Sequence, residues 1–194
     1  MKKYLDMVNI KGIIQVGANT GQEVSMFEQY TKNIMLIEPH PHIVDLLKTK
    51  YPKYTIIETA LGNEDLERDF YVASNGESSS VLKPKQHLTI YPTITFNEIR
   101  KVQVRKFKSL EIDISGYNVV ITDTQGCDLD VLKGFGELLN GIDLIISEYI
   151  DTELYENNQG LNLFIEYLTN FKLIETFDVN SGAGNAVFKR ITNV

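Results

Sequence analysis

The sequence has no tryptophan, one cysteine, three histidines and five prolines in 194 residues. Cys127 stands alone, so no internal disulfide can form, and a reducing, cytoplasmic setting is expected. Three histidines (His40, His42 and His87) make no histidine-rich ligand set, so no metal site is expected. Asp123 and Glu148 are the carboxylates that would suit a divalent cation if one were held. No apolar run nears the roughly 20 residues that a spanning helix needs, so no membrane span is expected. The start, Met1-Lys2-Lys3-Tyr4-Leu5-Asp6, lacks the apolar core of a signal peptide. Positive charge is scarce as well. Nineteen Lys and Arg against 26 Asp and Glu leave a net charge of −7, which argues against a nucleic-acid partner. Five basic residues do cluster: Arg100, Lys101, Arg105, Lys106 and Lys108. They alternate with Val102, Val104 and Phe107 and read as the wet face of a strand. The other reading is an attractive rim for an acidic acceptor.

What is present points to an α/β chain. Hydrophobic content of 43% with 23% charged residues suits a soluble globular domain, and no repeat or low-complexity linker divides residues 1–194. The run Ile13-Ile14-Gln15-Val16 ends in Gly17-Ala18-Asn19-Thr20-Gly21. Such a run reads as a buried parallel strand feeding a turn built for close approach to the backbone. Gln22 to Tyr30 then has helical spacing at Val24, Phe27 and Tyr30. Strand, glycine turn and helix form the architecture of a nucleotide-type cofactor site, or simply a tight turn. A second apolar run, Ile34 to Ile37, ends on Glu38, 17 residues after Gly21. A carboxylate at that tip can accept both hydroxyls of a ribose. The two signals together indicate an adenosine-containing cofactor.

Further along, Ile43–Tyr51 reads as a helix between prolines, and Tyr54–Glu58 as a third strand. Ala60-Leu61-Gly62-Asn63 follows, and its Gly-Asn reads as a turn. The rhythm then lapses over about residues 68–108. Arg68–Ala73 looks like an extra strand, Ser74–Tyr91 like a long polar loop, and Val102–Phe107 like an edge strand. It resumes at Asn118–Asp123, a buried strand ending on an acid. A helix follows from Leu129, and a further strand, Asp143–Glu148, also ends on an acid. Leu161–Phe171 reads as a helix, and Lys172–Asp178 with Ala186–Lys189 as an antiparallel hairpin, since the join is too short for a crossover. The expected fold is a doubly wound, mostly parallel seven-stranded Rossmann-like sheet closed by that hairpin.

This pattern resembles the class I S-adenosylmethionine-dependent methyltransferase fold, and the hairpin separates it from nicotinamide-binding domains. Within that fold the chain resembles the FkbM-type methyltransferases. The likeness is carried by Val16-Gly17-Ala18-Asn19-Thr20-Gly21, by Ile37-Glu38-Pro39 with Ala60-Leu61-Gly62, by Asp123-Thr124-Gln125-Gly126-Cys127-Asp128 through Gly134, and by Gly184-Asn185-Ala186. Three departures stand out: Gln15 where such loops often carry an acid, Cys127 for Ala and Asp128 for Glu. The resemblance implies S-adenosylmethionine as cofactor and methyl transfer to oxygen, commonly on a sugar, glycan or other small hydroxyl acceptor. Rival readings are a non-catalytic donor- or nucleoside-binding module and a nicotinamide-dependent oxidoreductase.

On that resemblance, Gly17, Asn19 and Gly21 shape the loop under the methionine part of the donor. Glu38 takes the ribose hydroxyls, with Pro39 beside it, and the Thr59-Ala60 step faces the adenine. Asp123 is the candidate general base for the acceptor hydroxyl. It also suits orienting the acceptor, holding the donor's amino group, or capping the next helix. Glu148 is the second carboxylate of the pocket, and His87 is an alternative base. Ser78–Ser80 are placed to reach the donor or acceptor, or to form a plain loop.

Overall fold

A computed structural model describes residues 1–191. Among them, the main sheet is built from β1 (Ile13–Val16), β2 (Ile34–Glu38), β3 (Thr55–Glu58), β7 (Val119–Thr122), β8 (Leu144–Ile150), β9 (Phe171–Asn180) and β10 (Ala183–Arg190). A second, three-stranded sheet holds β4 (Ala60–Leu61), β5 (Leu66–Val72) and β6 (Glu98–Arg105). The helices are α1 (Lys2–Leu5), α2 (Val24–Phe27), α3 (Pro41–Lys50), α4 (His87–Ile90), α5 (Asp128–Phe135) and α6 (Leu161–Tyr167).

The main sheet runs β3-β2-β1-β7-β8-β10-β9. Its strands are parallel except β10, which pairs antiparallel with both β8 and β9. This is the class I methyltransferase arrangement, closed by the expected hairpin. The chain winds outward from β1 to β3, then returns to β7 on the other side of β1. That reversal opens a crevice at the carboxyl ends of β1 and β7, where doubly wound sheets take their ligands.

The apolar strands are buried because both faces are covered. Successive side chains point to opposite faces. Ile14, Val16, Met35, Ile37, Val120 and Ile145 pack under α5 and α6, with Leu132, Phe135 and Phe164. Ile13, Ile34, Leu36, Val119, Ile121 and Ile146 pack under α2 and α3, with Val24, Phe27 and Leu47.

Three expectations change. The helix read over Gln22–Tyr30 is a single α turn, Val24–Phe27, flanked by turns, because few of its residues face the core. Ala60-Leu61, just before the turn read at Gly62-Asn63, form a short strand that pairs with β6. The strand expected at an edge is instead the middle of the small sheet. It extends back to Glu98, and β4 covers the side opposite β5. The long loop after β5 contains α4 and is pinned by bridges Tyr71–Ser80 and Pro84–Tyr155. Lys101 and Arg105 do form the wet face of β6, paired with Asp69 and Asp65, while Arg100 lies on the other face with Val102 and Val104 and pairs with Glu98.

Candidate active site

A cleft of about 490 Å³ opens over the carboxyl ends of β1, β2 and β7, within the usual range of roughly 300–1,000 Å³ for small-molecule sites. Gly17, Asn19, Glu38 and Pro39 line it from one side, Thr59 and Ala60 from the step between β3 and β4, and Asp123 from the floor. The insertion roofs it with Phe70, Val72 and Gly76 to Ser79.

The glycine turn is set by contact. Gly17 has φ +76°, and a Cβ there would stand 1.9 Å from the Asp123 carbonyl oxygen. The Gly17 and Ala18 amides both donate to the Ile37 carbonyl, at 2.9 and 3.1 Å, so the turn is stitched to the end of β2. Gly21 lies beside the cleft rather than in its lining, against the Tyr51 ring.

Glu38 sits at the tip of β2 and is 7% exposed. One carboxylate oxygen accepts the Asn19 N–H and the other the His40 N–H, each at 3.0 Å. Each oxygen keeps acceptor capacity for a further donor. Burial pushes its pKa up to about 7, against the pull of the two N–H groups. Asn19 therefore serves through its backbone, in the left-handed region at φ 41°. Thr59 faces differently from a recognition residue: its hydroxyl donates within the protein, with the Gln103 carbonyl at 2.9 Å. His40 lines the cleft next to Glu38, and burial lowers its pKa, so it is neutral at pH 7.

The floor is a carboxylate cluster. Asp123 opens onto the cleft's solvent but is closely walled by protein, and its pKa is raised, first by that burial. The Gln125 amide nitrogen lies 2.7 Å from Asp123 Oδ1 and 3.0 Å from Glu148 Oε2. Burial raises Glu148 well above its ordinary pKa, and the charges of Asp123 and Asp128 raise it further. Asp123 and Glu148, joined through the Gln125 amide, therefore titrate as one linked pair. Asp128 has another task. It is 1% exposed and accepts the Thr124 and Gly126 N–H groups, at 3.0 and 3.3 Å. Asp128, rather than Asp123, is what ties the loop into the start of α5.

Gln125 is the residue that sequence reasoning left without a role. Its backbone is left-handed at φ 56°, its carbonyl accepts from Ser80 Oγ at 2.8 Å, and its side-chain oxygen lies 3.2 Å from the Tyr155 hydroxyl. It joins the floor to the roofing insertion and to the segment that carries Tyr155. Its place in the Asp-Thr-Gln-Gly run was the available signal. Ser78 and Ser79 line the cleft, while Ser80 acts as this tie. His87 is not part of the lining. It is 3% exposed, inside an aromatic cluster of Tyr91, Phe96 and Tyr155, and burial lowers its pKa. The base reading for His87 is therefore set aside. Among the described residues, no group of three or more His, Cys, Asp or Glu is arranged to hold a metal ion. Cys127 is buried, and burial holds it as an unreactive thiol.

The methyltransferase FkbM domain model matches residues 15–177, most of the described chain and all of the cleft's floor. The chain belongs to the FkbM methyltransferase family. As an FkbM protein it is a methyltransferase that depends on S-adenosylmethionine. It is 27% identical over 180 residues to the 2-O-methyltransferase NoeI of Sinorhizobium fredii, covering 85% of this chain and 74% of that protein. Among solved structures, the N-methyltransferase NodS of Bradyrhizobium japonicum superposes with a TM-score of 0.56 at 9% identity, over 97% of this chain and 90% of NodS. A TehB-like methyltransferase from Corynebacterium glutamicum gives 0.51 at 10% identity, over 97% of this chain and 86% of that one. These two likenesses show the fold. The FkbM cleft also fits the cofactor on its own chemistry: a buried, acceptor-only Glu38 at a strand tip suits a ribose diol, and the glycine turn leaves backbone bare beside it.

Proposed function

We propose that this protein transfers a methyl group from S-adenosylmethionine to a hydroxyl of an uncharged sugar or comparable small polyol. The carrying observation is Asp123, open to the cleft and braced by the Gln125 amide that also reaches Glu148.

When bound, the sulfonium supplies an electrophilic methyl, whose S–C bond breaks as the O–C bond forms. Glu38 would hold the ribose hydroxyls, and Ala60 leaves room for the adenine ring. The acceptor hydroxyl would donate to Asp123, which takes its proton as the oxygen attacks. The Gln125 amide fixes the orientation of that carboxylate. Much of the acceleration then comes from holding the oxygen in line, in a roofed cleft.

Charge supports an uncharged acceptor. Glu23, Glu38, Glu77 and Asp123 line the cleft, and no lysine or arginine does. A phosphate or carboxylate on the acceptor would meet repulsion from these carboxylates. NoeI, a relative, is named as a 2-O-methyltransferase, which favours oxygen as the methylated atom.

The test is release of S-adenosylhomocysteine across a panel of neutral sugars, each beside its phosphorylated or uronic counterpart. The expected result is turnover on a neutral acceptor that Asp123→Asn abolishes while cofactor affinity stays. Turnover that survives Asp123→Asn would remove the base role. Cofactor binding with no turnover on any acceptor would return the non-catalytic reading.

A further inference from the structure

At the cleft floor, one face of the main sheet turns from apolar to polar. Asp123 leaves the end of β7 beside Glu148 on β8, and Glu148 is paired in register with Asn185 on β10. Residues paired across strands share a face, so these side chains stand in a row, and Gln125 bridges Asp123 and Glu148. The rung below on the same face, Ile121, Ile146 and Val187, is apolar and buried. Asn185 is half-buried and lines the cleft. Its neighbours along the strand, Ala186, Val187 and Phe188, are buried and apolar, so packing alone gives no reason for an amide here. Among the described residues nothing hydrogen-bonds the Asn185 side chain, which opens on the cleft rather than being sealed in protein. Its two N–H donors and its carbonyl are therefore all available to a ligand.

We infer that Asn185 is a positioning residue for the acceptor: its amide binds a second hydroxyl of the molecule whose first hydroxyl faces Asp123. The inference rests on the acceptor reading above and narrows it, since an acceptor with a single hydroxyl would leave the amide unused. Asn185 stands on the side of β7 away from β1 and β2, so its end of the row is remote from Glu38 and the ribose. Asp123 and Asn185 are separated by one strand, which puts their backbones about 9–10 Å apart. One sugar ring with its hydroxyls fills that gap. An amide suits a hydroxyl, because both give and take a hydrogen. A carboxylate in its place would only accept, and would add a charge beside Glu148. Held at two points, the ring cannot turn, and a single oxygen is presented to the methyl group.

The experiment measures kcat/KM on the methyl glycosides of glucose, galactose and mannose, and on each monodeoxy form of the one that is turned over best. Wild type, Asn185→Ala and Asn185→Leu are compared, and S-adenosylhomocysteine binding is followed by calorimetry. In wild type, removing one hydroxyl other than the methylated one should lower kcat/KM by about five- to a hundredfold, the range for a hydrogen bond whose partner is left unpaired. Asn185→Ala should lower kcat/KM on the parent glycoside by a similar factor and leave that one monodeoxy form unchanged. Asn185→Leu, closer in bulk to asparagine, should behave the same, which separates a lost contact from lost packing. Affinity for S-adenosylhomocysteine should hold in both variants. Equal losses on the parent and on every monodeoxy form would overturn the inference, as would unchanged turnover in Asn185→Ala or a fall in S-adenosylhomocysteine affinity. Failure of the acceptor reading looks different: wild type would bind S-adenosylhomocysteine and methylate no glycoside, and the inference would fall with it.

Discussion

Replacing Gly17 by alanine separates two costs that the sequence cannot distinguish, and Gly76 provides the control. Both have φ near +75°, at +76° and +74°. An alanine at either position meets the left-handed penalty of about 1–2 kcal/mol. Reduced freedom of the unfolded chain returns about 0.4–1 kcal/mol. At Gly76 nothing lies within 4 Å of the added Cβ, so the net loss there should stay near 1 kcal/mol. At Gly17 the Cβ meets the Asp123 carbonyl oxygen at 1.9 Å and its carbon at 2.8 Å. Those atoms cannot swing aside, since the Asp123 N–H donates to the Val16 carbonyl at 3.0 Å and joins the tips of β1 and β7. The tips must part by about an ångström, which adds about 1–3 kcal/mol on the scale of overpacked cores. For a chain of this length, each kcal/mol moves the melting temperature by about 2–4 °C. Thermal unfolding followed by circular dichroism should therefore show Gly17→Ala falling by about 5–15 °C and Gly76→Ala by no more than about 4 °C. Equal losses would refute the claim that the glycine is required by strand-to-strand contact rather than by φ alone.

The remaining predictions concern charge. Burial raises the carboxyls of Glu38, Asp123, Asp128 and Glu148, so between their unfolded and folded pKa values the native state binds more protons. Stability should therefore be fully present below about pH 4, the unfolded carboxyl pKa, and decline as pH rises through about 7. Glu148→Gln should flatten that decline in urea titrations, and a stability that rises over this range would contradict the burial argument. Glu38 must be ionised to accept a ribose diol, and its pKa stands at about 7 without ligand. Affinity for S-adenosylhomocysteine should then rise across that pH, and Glu38→Gln should remove the rise. Gln125→Ala should lower turnover more than cofactor affinity, because it frees Asp123 and leaves Glu38 untouched. Equal losses in both would make Gln125 a general prop of the cleft.

The main sheet was legible because its strands are short apolar runs bounded by glycines and prolines. Ile34–Glu38 falls on the residues read from the sequence, and the hairpin was forced by a short join. The small sheet was harder. Ala60-Leu61 is only two residues long, and its pairing with Val104 and Arg105, over 40 residues away, leaves no local trace. The basic face of β6 was readable because alternation is local. Side chains of the floor were partly legible. Asp123 and Glu148 mark the ends of buried strands, but a shared amide from Gln125 depends on a left-handed turn that no period announces. His87 had the right chemistry and the wrong surroundings: three aromatic rings, which only tertiary packing supplies.

The most direct test of the account is calorimetric titration of the wild type and Glu38→Ala with S-adenosylmethionine, S-adenosylhomocysteine and NAD. The cleft predicts that the first two bind, that Glu38→Ala weakens both by about tenfold or more through two lost hydroxyl contacts, and that NAD does not compete. Absence of binding by either adenosyl compound, or equal affinities in wild type and Glu38→Ala, would contradict it.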